Sequence, residues 1–233
     1  MKIKNIVFRM SILTVVCLCV FGCFSCRDDK FTAPRIDSVW NNMGNQPIEQ
    51  VECTYPEQTI CLRGAGFTGV RKLNVNGMDI DLTDTQIYNT DASIIIGLPK
   101  EVATTTATGL AYLKVENSVG TAVYEPFYVF DSTEKPKISG FSSTTLIPGG
   151  ILQIKGSNLN GAVEVYLPLA FEQRILCEFD ETQPSTDTEV YVKIPEGVNF
   201  AKGQVAIVMR KIYSATGDEY MDTVYSDETN FSN

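Results

Sequence analysis

The sequence predicts an all-β chain built as two tandem antiparallel sandwiches behind an export leader. The first reason is a repeat. Pro56-Glu-Gln-Thr-Ile-Cys-Leu-Arg-Gly64 returns 92 positions later as Pro148-Gly-Gly-Ile-Leu-Gln-Ile-Lys-Gly156. The match continues without gaps, aligning Phe67 with Leu159, Gly69 with Gly161, Leu73 with Val165 and Val75 with Leu167. The second is alternation: Ile60 with Leu62 in one copy, and Leu152 with Ile154 in the other, give the period-2 pattern of a strand with one buried face, ended by a glycine. The third is length, since 233 residues hold two units of about 100, each large enough to bury its own core.

The leader opens with Lys2, Lys4 and Arg9 and runs through an apolar stretch from Ile12 to Phe21 to small residues and cysteines. The stretch is shorter than the roughly 20 residues of a comfortable bilayer span, so it reads as an export signal. Cys23-Phe24-Ser25-Cys26-Arg27-Asp28-Asp29 resembles the lipobox of Bacteroidetes-type lipoproteins. That resemblance implies that residues 1–25 are removed and that Cys26 is lipidated as the mature N-terminus. It also implies an outer-membrane lipid anchor, with Asp28 and Asp29 as a surface-export signal directing the chain to the cell exterior. Val20-Phe21-Gly22-Cys23 is a second candidate box.

Residues 26–33 then form a linker and 34–131 the first sandwich. Pro34-Arg-Ile-Asp-Ser-Val39 alternates as an opening strand and matches Pro136-Lys-Ile-Ser-Gly-Phe141. Compared with the second copy, the first carries about ten extra residues near 41–50. Rich in Asn and Gln, they cannot build core and should form an exposed end loop. Further strands are expected at 72–75, 78–82, 93–98, 109–116 and 123–130, with Asn76-Gly77 as a hairpin turn. A short charged junction over 132–136 leads into the second sandwich, 136–233, with limited bending. There, 204–213 and 219–225 read as a protruding hairpin, with Tyr213, Tyr220 and Tyr225 as cross-strand aromatic pairs.

Composition excludes several chemistries. The chain has no histidine, which removes Ser-His-Asp and Cys-His nucleophile sets and histidine-ligated metals. Its formal charge is −9, and the leader contains three of its 19 bases but none of its 28 acids, so the mature chain is still more acidic. Such a balance repels phosphate backbones, and nucleic acid is not an expected partner. Asp79, Asp81, Asp84 and Asp91 are clustered, but Ile80 and Leu82 alternate with them as on a strand with one wet face, so calcium is disfavoured. No pair of carboxylates stands out for glycoside hydrolysis. No enzyme activity, metal or other cofactor is expected.

Cys53 and Cys61 flank the Tyr55-Pro56 turn and form either a local disulfide or two free thiols, with Cys61 off the core face by parity. Cys177 reads as a small buried apolar residue. Trp40, beside the extra loop, either closes the first core or, with Asn41 and Asn42, offers a flat ring and amides to a sugar.

Taken together, Pro-x-Ile, Pro-Gly with its alternating strand, Gly156-Ser-Asn-Leu159, and the strand ends Leu98-Pro99 and Ile194-Pro195 resemble the immunoglobulin-like IPT/TIG family. The first unit departs from it by having Glu57 in place of the turn glycine. In surface glycan-binding lipoproteins of Sus-like systems such units are spacers beneath a dedicated carbohydrate-binding domain. The resemblance implies a non-catalytic surface lipoprotein that binds glycan weakly or docks on a Sus-like transporter. A structural or adhesion protein that binds another protein is the alternative.

Overall fold

A computed structural model describes residues 31–41, 48–83 and 88–233. The first half contains β1 (Arg35–Asn41), β2 (Cys53–Thr54), β3 (Thr59–Ala65), β4 (Lys72–Val75), β5 (Met78–Ile80), β6 (Tyr88–Asn89) and β7 (Ser93–Gly97). A single-turn helix α1 (Thr105–Thr108), β8 (Leu113–Glu116), β9 (Thr121–Tyr124) and β10 (Tyr128–Val129) complete it. The second half contains β11 (Lys137–Phe141), β12 (Ile151–Ser157), β13 (Ala162–Pro168), β14 (Arg174–Leu176) and β15 (Glu178–Phe179). It ends with β16 (Glu189–Lys193), β17 (Ala206–Tyr213) and β18 (Asp218–Tyr225).

The chain is all-β with an immunoglobulin-like arrangement of sheets, and the two halves share one strand order. The sheets β1-β3-β7-β6 and β5-β4-β8-β9 of the first half correspond to β11-β12-β16-β15 and β14-β13-β17-β18 of the second. β3 and β12 begin and end 92 positions apart, in agreement with the repeat. The first half adds a short parallel pair, β2 with β10. The Asn76-Gly77 turn is present, with both residues at positive φ, 49° and 88°. Some expectations fail locally: the strand expected over 123–130 is divided into β9 and β10. Gly109 does not open a strand but caps α1 in the left-handed region at φ 70°, delaying β8 to Leu113.

Each half buries its own core. Ile60, Leu62, Phe67, Leu73 and Val75 pack with Ile94, Ile96, Leu113 and Val115 in the first. Leu152, Ile154, Leu159, Val165 and Leu167 pack with Val190, Val192, Ile207 and Met209 in the second. The two members of each repeat pair are therefore core residues, which is what their alternation required. Cys177 is buried in the second core, as expected.

A bulge and a glycine together form the clasp that starts each half. The β1–β3 register shifts between Ile36 and Ser38, and the β11–β12 register shifts between Ile138 and Gly140. The extra residue brings the backbone of the opening strand close to Gly64 or Gly156. A Cβ at those glycines would lie 1.8 Å from the Arg35 carbonyl oxygen and 2.0 Å from that of Lys137. The repeat glycines thus do not end their strands; they lie within β3 and β12 and make room for the neighbouring backbone. Gly156→Ala should destabilise the protein by about 3 kcal/mol, read as a lower urea midpoint, because the obstacle is backbone that cannot rotate away. Gly140→Ala, where an added Cβ meets nothing within 4 Å, should be close to neutral.

Candidate functional site

Trp40 lies outside the first core. The β1 bulge turns Val39 inward, leaving Trp40 half-buried on the opposite face, beside Ser38 and directly across from Cys61. Its Nε1 donates to Ser38 Oγ at 2.8 Å, and the Arg63 guanidinium sits over the ring at 4.2 Å from the centroid. This cation–π contact occupies one face of the indole. Asn41 is also committed to structure: its Oδ1 accepts from the Glu49 backbone N–H at 2.8 Å. Backbone bonds from Asn41 to Glu49 and from Val51 to Val39, with the Trp40–Gln50 bridge, run the returning loop back along β1. Asn42 lies outside the described residues, as do Cys26 and Asp84.

Two of the three tyrosines expected on a protruding hairpin, Tyr213 and Tyr220, instead face the other half of the chain, and Tyr225 lies outside their cluster. Tyr213 and Tyr220 are buried against Tyr128 and Phe130, with Tyr55 and Cys53 in the same cluster. Phe130 stacks on Tyr220 at 4.6 Å between centroids, and Tyr128 lies 5.3 Å from Tyr220. The pairing along β17–β18 opposes Lys211 to Tyr220 and Tyr213 to Asp218, so these rings are not cross-strand partners of each other.

The hydroxyls at this joint donate across it. Tyr55 OH reaches Asp222 Oδ2 at 2.6 Å, Tyr128 OH reaches Asp218 Oδ2 at 3.2 Å, and Tyr213 OH reaches the Thr105 carbonyl at 3.2 Å. Glu52 accepts from the Met221 backbone N–H at 2.9 Å. The connecting turn is held as well. Asp131 and Glu134 form a reciprocal cap on its 3-10 helix, and Asn158 Nδ2 donates to the carbonyls of Thr133 and Lys135. Burial pushes the Asp222 carboxyl above its ordinary value despite the opposing Tyr55 hydrogen bond, and it pushes Lys211 and Lys135 down. The same burial raises the Tyr55 phenol, so it stays a donor.

Of the two alternatives for Cys53 and Cys61, a local disulfide or two free thiols, the structure has the second, and both thiols are buried. Cys53 belongs to the joint, its Sγ 3.9 Å from the Met221 carbonyl, whereas Cys61 lies on the outward face of β3. Burial holds the Cys53 thiol well above its usual range, which suits packing rather than nucleophilic chemistry. Asp79 is engaged by Asn74 at 2.7 Å and Lys72 at 2.9 Å on the wet face of its sheet. Among the described residues no group of three or more acidic or cysteine side chains is placed to hold a metal ion.

No family model matches the chain, and no curated protein does. Among solved structures it is similar to the surface glycan-binding protein PbSGBP-B from Prevotella bryantii, 15% identical over 86% of this chain and 41% of that one, TM-score 0.35. SGBP-B from a complex xyloglucan utilization locus in Bacteroides uniformis matches at 15% over 86% and 49%, TM-score 0.32. A chimeric titin Z1Z2 matches at 15% over 87% and 98%, TM-score 0.27. The chain spans less than half the length of those two glycan-binding structures. Likenesses this distant decide nothing about ligand or partner.

Two outcomes test this geometry. Trp40→Ala should cost about 1 to 2 kcal/mol, the loss of a half-buried ring and one cation–π contact, and not the roughly 3 to 5 kcal/mol of an emptied core site. Thermal or urea unfolding separates the two. Asp222 supplies a pH signature. A carboxyl held above its ordinary value keeps its proton more tightly when folded, so stability falls as pH rises from the unfolded value through the folded one. Asp222→Asn keeps an acceptor for Tyr55 and removes that titration. Its urea midpoint should therefore gain on the parent as pH rises above the ordinary aspartate value of about 4; a constant difference would remove Asp222 as the cause.

Proposed function

We propose that this chain is a non-catalytic lipoprotein, anchored in the outer membrane through Cys26 and facing the exterior. It serves a Sus-like glycan-uptake system as a stiff accessory, spacing or presenting a glycan contact away from the membrane. The observation that carries the reading is the joint. A buried aromatic cluster and hydrogen bonds on several sides hold the two sandwich-like halves, 34–131 and 136–233, as one body, a use of buried surface suited to a strut. The acidic balance without histidine, and the leader that ends in cysteines, support the same reading from the sequence.

Labelling with a fatty-acid analogue tests the anchor. Parent protein should incorporate the label and fractionate with outer membrane, and Cys26→Ala should lose both; membrane retention by the variant would move the anchor elsewhere. Native gels containing xyloglucan, mixed-linkage glucan or starch test the glycan role on the detergent-solubilised chain, where binding appears as retarded migration.

A further inference from the structure

Two of the places where the sequence departs from its own repeat border the same cleft. The first half adds the loop that returns through Glu49, and the second lengthens the hairpin between β13 and β14. In the first half Leu73 pairs with Ile80 across a two-residue turn; in the second, Val165 is met only by Cys177. Between these additions lies the outward face of the β14-β13-β17-β18 sheet. Val165, Leu167, Ile207 and Val224 point to the core, so Tyr166, Ala206 and Tyr225 point outward, and register sets them side by side across three strands.

Here they line a cleft of about 320 Å³ together with Arg174, Glu164 and Glu49. Arg174 lies over the Tyr225 ring at 4.9 Å, donates to its hydroxyl at 3.4 Å and approaches Glu49 Oε1 at 3.7 Å. Tyr166, half-buried, donates to Glu164 Oε2 at 2.7 Å. A second hollow of about 580 Å³ shares Arg174 and extends the surface toward the hairpin tip. At that tip Phe171 is 94% exposed, and both Phe171 and Glu172 are left-handed, at φ 60° and 58°. Bulky residues rarely accept that conformation, so an aromatic side chain is held in water there at a conformational cost.

We propose that this cleft is a binding site for an uncharged oligosaccharide, with the Tyr166 ring under a sugar face and Glu164, Glu49 and Arg174 taking its hydroxyls. The proposal rests on the glycan-binding reading above and gives it a place. A sugar ring offers an apolar C–H face to an aromatic ring, and hydroxyls that both donate to carboxylates and accept from a guanidinium. An apolar partner would desolvate these charges without pairing them. A polyanion would meet two carboxylates against one guanidinium on an acidic protein. The cleft is continuous with the interface between the two halves, where ligand sites concentrate, and its extension to Phe171 suits a chain of sugars rather than one.

The test uses the same three neutral polysaccharides in native gels, with heparin as the charged control. The parent should be retarded by at least one of the three and not by heparin. Tyr166→Ala should weaken that binding by about tenfold or more at unchanged melting temperature, while Tyr166→Phe, which keeps the ring, should bind nearly as the parent does. If Tyr166→Ala lowers the melting temperature, Glu164→Ala should show the same loss on a rim residue. Trp40→Ala should bind as the parent does. Full binding by both Tyr166→Ala and Glu164→Ala overturns this cleft as the site and leaves the glycan reading standing. Retardation of the parent by none of the three overturns both, and retardation by heparin alone would make the cleft an anion site instead.

Discussion

The stack of Phe130 on Tyr220 is the contact on which the rest of the arrangement depends. The rings come from β18 and from the segment just after β10, and they meet only because β10 pairs with β2 and carries Tyr128 and Phe130 to the end of the first half. Such aromatic pairs add about 0.5 to 1.5 kcal/mol each beyond the area they bury. Burying tyrosine requires partners for its hydroxyl, and here Asp222, Asp218 and Thr105 provide them. Among the described residues no buried side-chain nitrogen or oxygen lacks a partner, so the joint is buried without being starved of hydrogen bonds.

That joint also decides where a ligand could sit. Docking β18 against the first half brings Glu49 to Arg174 and turns the outward sheet face of the second half into a concave surface. Asn41 contributes indirectly, by fixing the backbone of Glu49. Its Oδ1 therefore shapes the loop, and Trp40, covered on one face by Arg63, braces the base of the same loop.

The strands were legible because their information is local. Ile60 with Leu62, and Leu152 with Ile154, declare a buried face within three residues, and Asn76-Gly77 declares its turn within two. Parity also placed Cys61 off the core. Parity failed at Trp40, because simple alternation from Ile36 through Ser38 puts the indole in the core, and the bulge at this point reverses the count. Gly64, whose removal of a Cβ makes that bulge possible, was the available signal. The joint was not legible at all. Tyr213 and Tyr220 carry the same residue types whether they pair across a hairpin or pack on Tyr128, which is distant in the sequence, and nothing local distinguishes the two. The cleft has the same character, since Glu49 and Arg174 meet only after the halves dock.

The aromatic joint bears on modularity. Tandem repeats with matching strand order invite the view that either half could be cut out, exchanged or added to another chain. Division at the 131–135 turn would leave Tyr128 and Phe130 bare on one piece and Tyr213 and Tyr220 bare on the other, beside the buried carboxyl of Asp222. Patches of that kind drive self-association. The two copies of the repeat therefore make one object, and the smallest piece that could be moved intact to another chain is the pair.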